Sequence, residues 1–279
     1  MKITVSITTR GRYETTLPLS LMSIINQSLL PYEIILVDDN DNKDFYNIKI
    51  FKEILKLIKL KGIKFSYFYG ESKGQVYAQQ IALNNCSTEL LYKMDDDNIL
   101  DDNVLETLHN TIIKSDKIGA VSGLILNDKD KKRELNQISD LYNKIDDIYS
   151  NFNIQMCGIQ SKDIKRVEHI YSNFLFKVSL IREYALEFYP SGHREDTVAT
   201  YELYLKGYDL LINPNCVIWH LNENNGGNRL HENDNNNEIL FINKLKKWGV
   251  IPDKIKVVED LDTVYTMKGF NKFLIYKKN

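Results

Sequence analysis

Three adjacent carboxylates, Asp95, Asp96 and Asp97, follow directly on the apolar run Leu90 to Met94. Two unit charges ~5 Å apart at an effective dielectric of ~20 repel by roughly 3 kcal/mol, so the trio calls for a cation. Hard divalent ions such as Mg2+ or Mn2+ take one or two carboxylates and complete their shell with phosphate oxygens and water. In an extended segment Asp95 and Asp97 point to one side, which makes them the expected pair. The competing reading is a solvated acidic turn capping the next helix, with Asp101 and Asp102 as further N-terminal charges. A position at the end of an apolar strand favours the metal. An EF-hand calcium loop is disfavoured, because Ile99 and Leu100 stand where a further acidic ligand and the glycine belong.

Three further clusters carry chemistry. Asp38-Asp39-Asn40-Asp41 follows Val37, and a carboxylate there can accept from a ribose hydroxyl or a base N–H; the same residues also favour a plain turn. Glu195-Asp196 opens a helix after Gly192-His193-Arg194, where acidic residues are ordinary first-turn chemistry. Trp219-His220 ends an apolar strand ahead of Gly226 and Gly227, and a neutral imidazole is a common metal ligand. Arg12 and Lys73 are candidates to neutralise phosphate oxygens.

Positioning these groups requires a sheet. Ile3 to Thr9, Glu33 to Val37, Ile63 to Tyr69 and Leu90 to Met94 read as strands. Helical spacing fills the gaps over Tyr13 to Gln27, Asp44 to Leu60 and Gly74 to Asn85, with Pro18 marking a helix start within the first. Such βα units imply an α/β fold, a doubly wound, mostly parallel sheet covered on both faces. Ligands then bind at the carboxyl ends of the strands, where Thr9 to Arg12, Asp38 to Asp41 and Asp95 to Asn98 all fall. The later half is less regular. Ile118 to Leu126 and Val167 to Phe176 read as strands, Leu180 to Phe188 and Glu195 to Lys206 as helices. Asp209 to Asn213 and Val217 to His220 read as strand pieces, and Ile239 to Trp248 as a helix. A polar stretch within 127–153 reads as an insertion, and 222–228 as a loop.

Composition narrows the function classes. The 36 basic and 38 acidic side chains nearly cancel, leaving a net charge of -2 and no global field to attract nucleic acid. Cys86, Cys157 and Cys216 have neither zinc spacing nor an even count, so a reducing cytoplasm is expected. No run of 18 apolar residues and no signal-peptide pattern is found, so a soluble chain is expected. The mixture of Phe270, Phe273, Ile275 and Tyr276 with lysines could dock peripherally on the inner face of a membrane; a packed element with solvated lysines is the alternative.

Taken together the clusters resemble glycosyltransferase family 2, the inverting GT-A enzymes, over about residues 3 to 222. Val37-Asp38-Asp39-Asn40 resembles its Val-Asp-Asp-Gly/Asn motif, Met94 to Asn98 its D-x-D motif, and Glu195-Asp196, Gly207-Tyr208 and Ile218-Trp219-His220 its later blocks. The three aspartates with a terminal Trp-His are similar to the galactofuranosyl- and rhamnosyltransferase branch. The resemblance implies a GT-A catalytic domain over 1–222, with a nucleotide-binding half to 117 and an acceptor-side half after it, then a helical extension over 223–279. It implies that Asp95, Asp97 and His220 hold Mn2+ or Mg2+, with Asp95 and Asp96 also toward the donor. Asp39 would hold the base or ribose, with Thr9 and Arg10 beside it, and Asp196 would be the base. The expected activity is of hexosyltransferase type. The expected donor is a nucleotide-diphosphate sugar, a UDP-sugar first, and the acceptor a saccharide-, lipid- or protein-linked hydroxyl in polysaccharide or glycoconjugate synthesis. Arg10-Gly11 and Gln79-Gln80 depart from the family's frequent Tyr-Asn and Arg-Asn. A sugar-phosphate nucleotidyltransferase, which should carry a Gly-rich basic loop after the first strand, and a non-catalytic nucleotide-sugar-binding module are the rival readings.

Overall fold

The computed structural model describes residues 1–42, 44–126, 163–189, 192–223, 225–227 and 234–250. The expected insertion at 127–153 and the aromatic and lysine stretch from Lys268 lie outside the described residues. The chain divides into two compact units, Met1–Leu230 and His231–Asn279.

Four parallel strands form the first half of the sheet in the first unit: β1 (Ile3–Thr9), β2 (Glu33–Asp38), β3 (Lys64–Tyr69) and β4 (Leu90–Asp95). They stand in the order β3-β2-β1-β4. The chain winds one way from β1 to β3 and returns on the other side at β4, so the switch point lies between β1 and β4. Helices α1 (Leu17–Ile25), α2 (Lys49–Leu60), α3 (Gln75–Asn85) and α4 (Val104–Ile112) separate these strands and follow β4. Alternation along β2 decides which face each covers. Ile34 and Leu36 enter the large core with Leu21 of α1, Phe51 of α2 and Leu108 of α4, whereas Ile35 and Val37 pack on Ala78 and Ala82 of α3. Both faces are covered, as the near-continuous apolar strands require.

Beyond β4 the sheet turns mixed, with β8 (Phe174–Lys177) antiparallel to β4 and β6 (Ile118–Leu126) antiparallel to β8. The long strand β9 (Asp209–His220) runs parallel to β6 and carries β5 (Asn98–Leu100) and β7 (Lys165–Val167) as antiparallel partners. Helix α5 (Glu195–Leu205) precedes β9. In the second unit α6 spans Asp234–Lys247, with Lys244, Lys246 and Lys247 in its last turn, where cations suit the helix dipole.

The first helix begins at Leu17, with Pro18 in its first turn as expected, and residues 13–16 form turns. Other expectations need correction. The segment 44–60 splits at Ile48, whose extended backbone separates a single 3-10 turn, Phe45–Asn47, from α2. The strand expected over 167–176 is broken into β7 and β8, because Ser172 adopts φ 69°. The helix expected over 180–188 is a single 3-10 turn, Leu186–Phe188. There the Tyr184 N–H donates to the Gln80 side chain at 2.7 Å, a tertiary bond in place of a helical one. The two late strand pieces are one strand, with a register shift opposite Gly123 and Leu124.

Candidate active site

β4 ends at Asp95, and residues 96–97 turn before β5 begins. The alternation that would aim Asp95 and Asp97 to one side of an extended segment therefore does not hold: Asp96 and Asp97 share Arg12, and Asp95 turns to Ser172 and Lys93. Asp96 accepts from the Thr9 hydroxyl at 2.6 Å and from Arg12 Nη1 at 2.6 Å. Asp97 Oδ2 lies 2.9 Å from the same Arg12 nitrogen and 3.3 Å from His220 Nε2. Asp95 Oδ2 accepts from the Ser172 hydroxyl at 2.5 Å, while its Oδ1 lies 3.1 Å from Lys93 Nζ.

The short strand β5 is what brings His220 to Asp97. Asn98 pairs with His220 in the antiparallel register, and the Leu221 N–H donates to the Asp97 carbonyl at 2.9 Å. Trp219 donates its indole N–H to Asp101 Oδ1 at 2.9 Å, so Asp101 serves this junction rather than a helix cap. The chain after His220 then crosses the β1 turn. Arg12 Nε donates to the Asn225 carbonyl at 3.3 Å, and the Gly227 N–H donates to the Arg10 carbonyl at 2.8 Å. A Cβ on Gly226 would stand 2.5 Å from the Arg10 oxygen and the residue has φ 78°, so only glycine fits there.

Arg12 is almost wholly buried, at 5% exposure. Burial pulls its guanidinium down, but Asp96 and Asp97 outweigh that and hold it above its ordinary value. Burial pushes the Asp96 carboxyl up to about 6 against the pull of Arg12. Burial also works against the His220 cation, yet the bond to Asp97 raises that imidazole overall.

Asp196, in the first turn of α5, is buried beside β4. Its Oδ2 takes Lys93 Nζ at 2.6 Å and the Ser172 N–H at 3.2 Å, while its Oδ1 is buried without a hydrogen-bond partner. Lys93 thus bridges Asp196 and Asp95. Burial lifts the Asp196 carboxyl to about 6 although Lys93 opposes it. Burial likewise acts on Asp95, but Lys93 and Ser172 prevail and keep its carboxyl below the ordinary value. The two partners of one lysine differ in direction because Lys93 and the Ser172 hydroxyl act together on Asp95, whereas the neighbouring Asp95 charge adds to burial in raising Asp196. Glu195 receives the Gln79 side-chain N–H at 3.1 Å, and burial next to Asp196 pushes its carboxyl well up. Gln79 therefore meets Glu195 with a neutral donor.

At the end of β2 the roles separate. Asp38 is fully buried and accepts from the Tyr13 and Tyr67 hydroxyls and from Asn40, so it braces the fold. Asp39 Oδ2 accepts the Gly74 N–H at 3.0 Å, tying β2 to the start of α3. Its Oδ1 lies only 2.8 Å from where a Cβ on Gly70 would be, so the absence of a side chain at Gly70 makes room for it. Arg10 donates to the Asp39 carbonyl at 2.5 Å and to Asp41 Oδ1 at 2.9 Å. Lys73 is exposed and pairs with Glu71 at 2.5 Å, outside both carboxylate clusters.

Of the expected site residues, Thr9, Arg12, Asp96, Asp97 and His220 thus form one cluster, Asp95 and Asp196 a second, and Arg10 and Asp39 a third. Lys93, Ser172 and Asn173, whose Oδ1 accepts the Asp95 N–H at 3.1 Å, were not anticipated. A lysine inside the apolar run Leu90 to Met94 was the available signal, since a buried ammonium needs an acidic partner.

Among the described residues no three acidic, histidine or cysteine side chains come together in a group that could hold a metal ion, so Asp95, Asp97 and His220 do not meet as one set of ligands. The Asp97 and His220 pair nevertheless suits a divalent ion. The two groups meet at 3.3 Å as a hydrogen-bonded pair, and the same Asp97 Oδ2 also lies 2.9 Å from Arg12 Nη1, so a metal there would share that oxygen with the guanidinium. A carboxylate with an imidazole suits Mn2+ better than Mg2+, because imidazole is the softer ligand.

No curated relative matches the chain by sequence. Among solved structures, GalNAc-T7 with UDP, GalNAc and Mn2+ superposes with a TM-score of 0.57 at 18% identity, covering 79% of this chain and 44% of that one. TarS of S. aureus gives 0.56 at 14% identity, covering 79% and 37%. The mannosyltransferase PcManGT of Pyrobaculum calidifontis, in complex with GDP-Man and Mn2+, gives 0.56 at 14% identity, covering 80% and 57%. The chain spans between 37% and 57% of the length of these proteins, and the likeness is one of fold, the GT-A arrangement. Sequence adds the family: the glycosyl transferase family 2 model matches residues 4–184, from β1 past Lys93, Asp95 and Ser172. On that span the chain belongs to glycosyltransferase family 2.

Proposed function

We propose that the chain is a metal-dependent glycosyltransferase that moves a sugar, with inversion, from a nucleotide-diphosphate donor to a hydroxyl acceptor. The observation that carries this reading is the Asp196 Oδ1, a buried carboxylate oxygen without a hydrogen-bond partner, in the same cluster as Asp95 of the D-x-D segment. A carboxylate so held can take the proton of an incoming hydroxyl, and a value near 6 suits a base that works close to neutrality. Single displacement needs this proton acceptor on one side of the sugar and the leaving diphosphate on the other.

Asp97 and His220, with Asp95 as a further oxygen ligand, would hold the cation, Mn2+ before Mg2+. Bound there, the metal supplies a Lewis acid to the departing diphosphate. Asp96 keeps Thr9 and Arg12 in place beside it. Asp39 and Arg10, joined at the end of β2, are the proposed contacts to base or ribose. The UDP and GalNAc held by GalNAc-T7 and the GDP-Man held by PcManGT support the donor class, with a UDP-sugar expected here. A hexose as the transferred sugar and a saccharide-, lipid- or protein-linked acceptor complete the proposal.

The nucleotidyltransferase reading loses support from the β1 turn. Arg10 and Arg12 are committed to Asp39, Asp41, Asp96 and Asp97 rather than turned toward a triphosphate. Asp196→Asn tests the main reading: the variant should retain UDP and Mn2+ binding and lose transfer, and an active variant would remove Asp196 from the base role.

A further inference from the structure

Neither the metal nor the base accounts for Lys93, a cation in an otherwise apolar strand with only 3% of its side chain exposed. Along β4 the alternation sends Leu90, Tyr92 and Met94 into the main core and puts Leu91, Lys93 and Asp95 on the other face. A methionine would fill the same space without the cost of desolvating a charge, and buried ion pairs seldom out-stabilise such apolar replacements. Stability alone is therefore a poor reason for a lysine here. Its geometry suggests another. Nζ lies 2.6 Å from Asp196 Oδ2 and 3.1 Å from Asp95 Oδ1. Ser172 spans the same two carboxylates, its N–H donating to Asp196 Oδ2 at 3.2 Å and its hydroxyl to Asp95 Oδ2 at 2.5 Å. It does so from φ 69°, a strained backbone for a residue with a side chain, and such strain concentrates where function requires it.

The two bridges hydrogen-bond Asp196 Oδ2 and Asp95 Oδ2; Asp95 Oδ1 has only the ion-pair contact with Lys93 at 3.1 Å, and Asp196 Oδ1 has neither a hydrogen bond nor an ion pair. We propose that Lys93 is a positioning residue for transfer: clamped across Asp95 and Asp196, it fixes the Asp196 carboxylate so that Oδ1 is the oxygen that receives the acceptor's proton. The inference rests on the reading of Asp196 as base. It adds that the donor-side and acceptor-side carboxylates are set in one register by a single side chain from β4.

The test uses the full chain with Lys93→Met, Lys93→Arg and Asp196→Asn in parallel. It measures kcat and KM for nucleotide diphosphate release, calorimetric affinity for UDP with Mn2+, and thermal unfolding. Lys93→Met should lower kcat about 100-fold, within the range that a well-placed base contributes, and leave UDP affinity within about threefold. Lys93→Arg, which keeps the charge, should recover about tenfold of that loss. A Lys93→Met kcat within about threefold of wild type, or a loss seen only in KM and UDP affinity, overturns the proposal. Should Lys93→Met fail to fold, Lys93→Arg decides: a lower kcat at constant KM supports the positioning role, and an unchanged kcat overturns it. An inactive Asp196→Asn beside a fully active Lys93→Met defeats the lysine proposal alone. An active Asp196→Asn defeats the base reading and the lysine role with it.

Discussion

Asp196→Asn should make the protein more stable while abolishing transfer. The substitution keeps the shape of the side chain and an oxygen for the Ser172 N–H and removes a buried charge, while it leaves Lys93 paired with Asp95 alone, which works against the gain. An aspartate ordinarily titrates near 3.8, and burial lifts Asp196 to about 6 even with Lys93 beside it. At 1.36 kcal/mol per pH unit, carrying the ionised carboxylate at pH 7 costs the fold on the order of 3 kcal/mol at most, since Lys93 and Asp95 share in the same balance. Because the folded pKa lies above the unfolded one, the folded state binds the proton first as pH falls through about 6. The penalty is therefore full above that value and disappears toward 3.8. Urea unfolding at pH 7 should show the variant more stable by up to about 3 kcal/mol, and the gap should close at a pH near 4. A variant less stable than wild type at pH 7 would refute the reasoning, since it would mean that Lys93 more than compensates the buried charge. A carboxylate carried at a cost to stability is what a functional residue looks like, and the gain on removing it separates that role from a structural one.

Other perturbations report on the neighbouring cluster. His220→Ala should weaken Mn2+ binding in the presence of UDP by about tenfold or more, measured by calorimetry. Wild-type affinity should fall as pH drops and the imidazole, raised by Asp97, takes its proton. Arg12→Met leaves Asp96 and Asp97 buried without their cation and should cost about 3–5 kcal/mol in chemical unfolding. Gly226→Ala puts a methyl 2.5 Å from the Arg10 carbonyl and should displace the crossing of 225–227 over the β1 turn. The expected cost is about 1–3 kcal/mol together with weaker UDP binding, and an unchanged melting temperature and affinity would show that the crossing is not maintained.

The sequence made the first half of this fold legible because its strands are long, apolar and bounded by turn residues. Thr9, Asp39 and Asp97 follow from that, since any group just past a parallel strand lies on the ligand-binding edge. β5 escaped notice because three residues carry no periodicity, and with it went the reason His220 meets Asp97. Ser172 was hidden differently. The apolar pattern from Val167 to Phe176 reads as one strand, and nothing local announces a positive φ at a serine. The failed helix at 180–188 shows tertiary bonds overriding local preference, with the Tyr184 N–H taken by Gln80. Lys93 was visible all along as a charge in an apolar run, but its partner Asp196 lies 103 positions away, on an element whose placement no local pattern specifies.

The central claim is transfer from a nucleotide-diphosphate sugar through a carboxylate- and histidine-held metal. The most direct measurement is nucleotide diphosphate release from a panel of UDP- and GDP-sugars with Mn2+, with and without chelator, for wild type and Asp97→Asn. The account predicts release from at least one donor, lost on chelation and in the variant. Pyrophosphate release from a nucleoside triphosphate and a sugar phosphate, with no turnover of any nucleotide sugar, would contradict it.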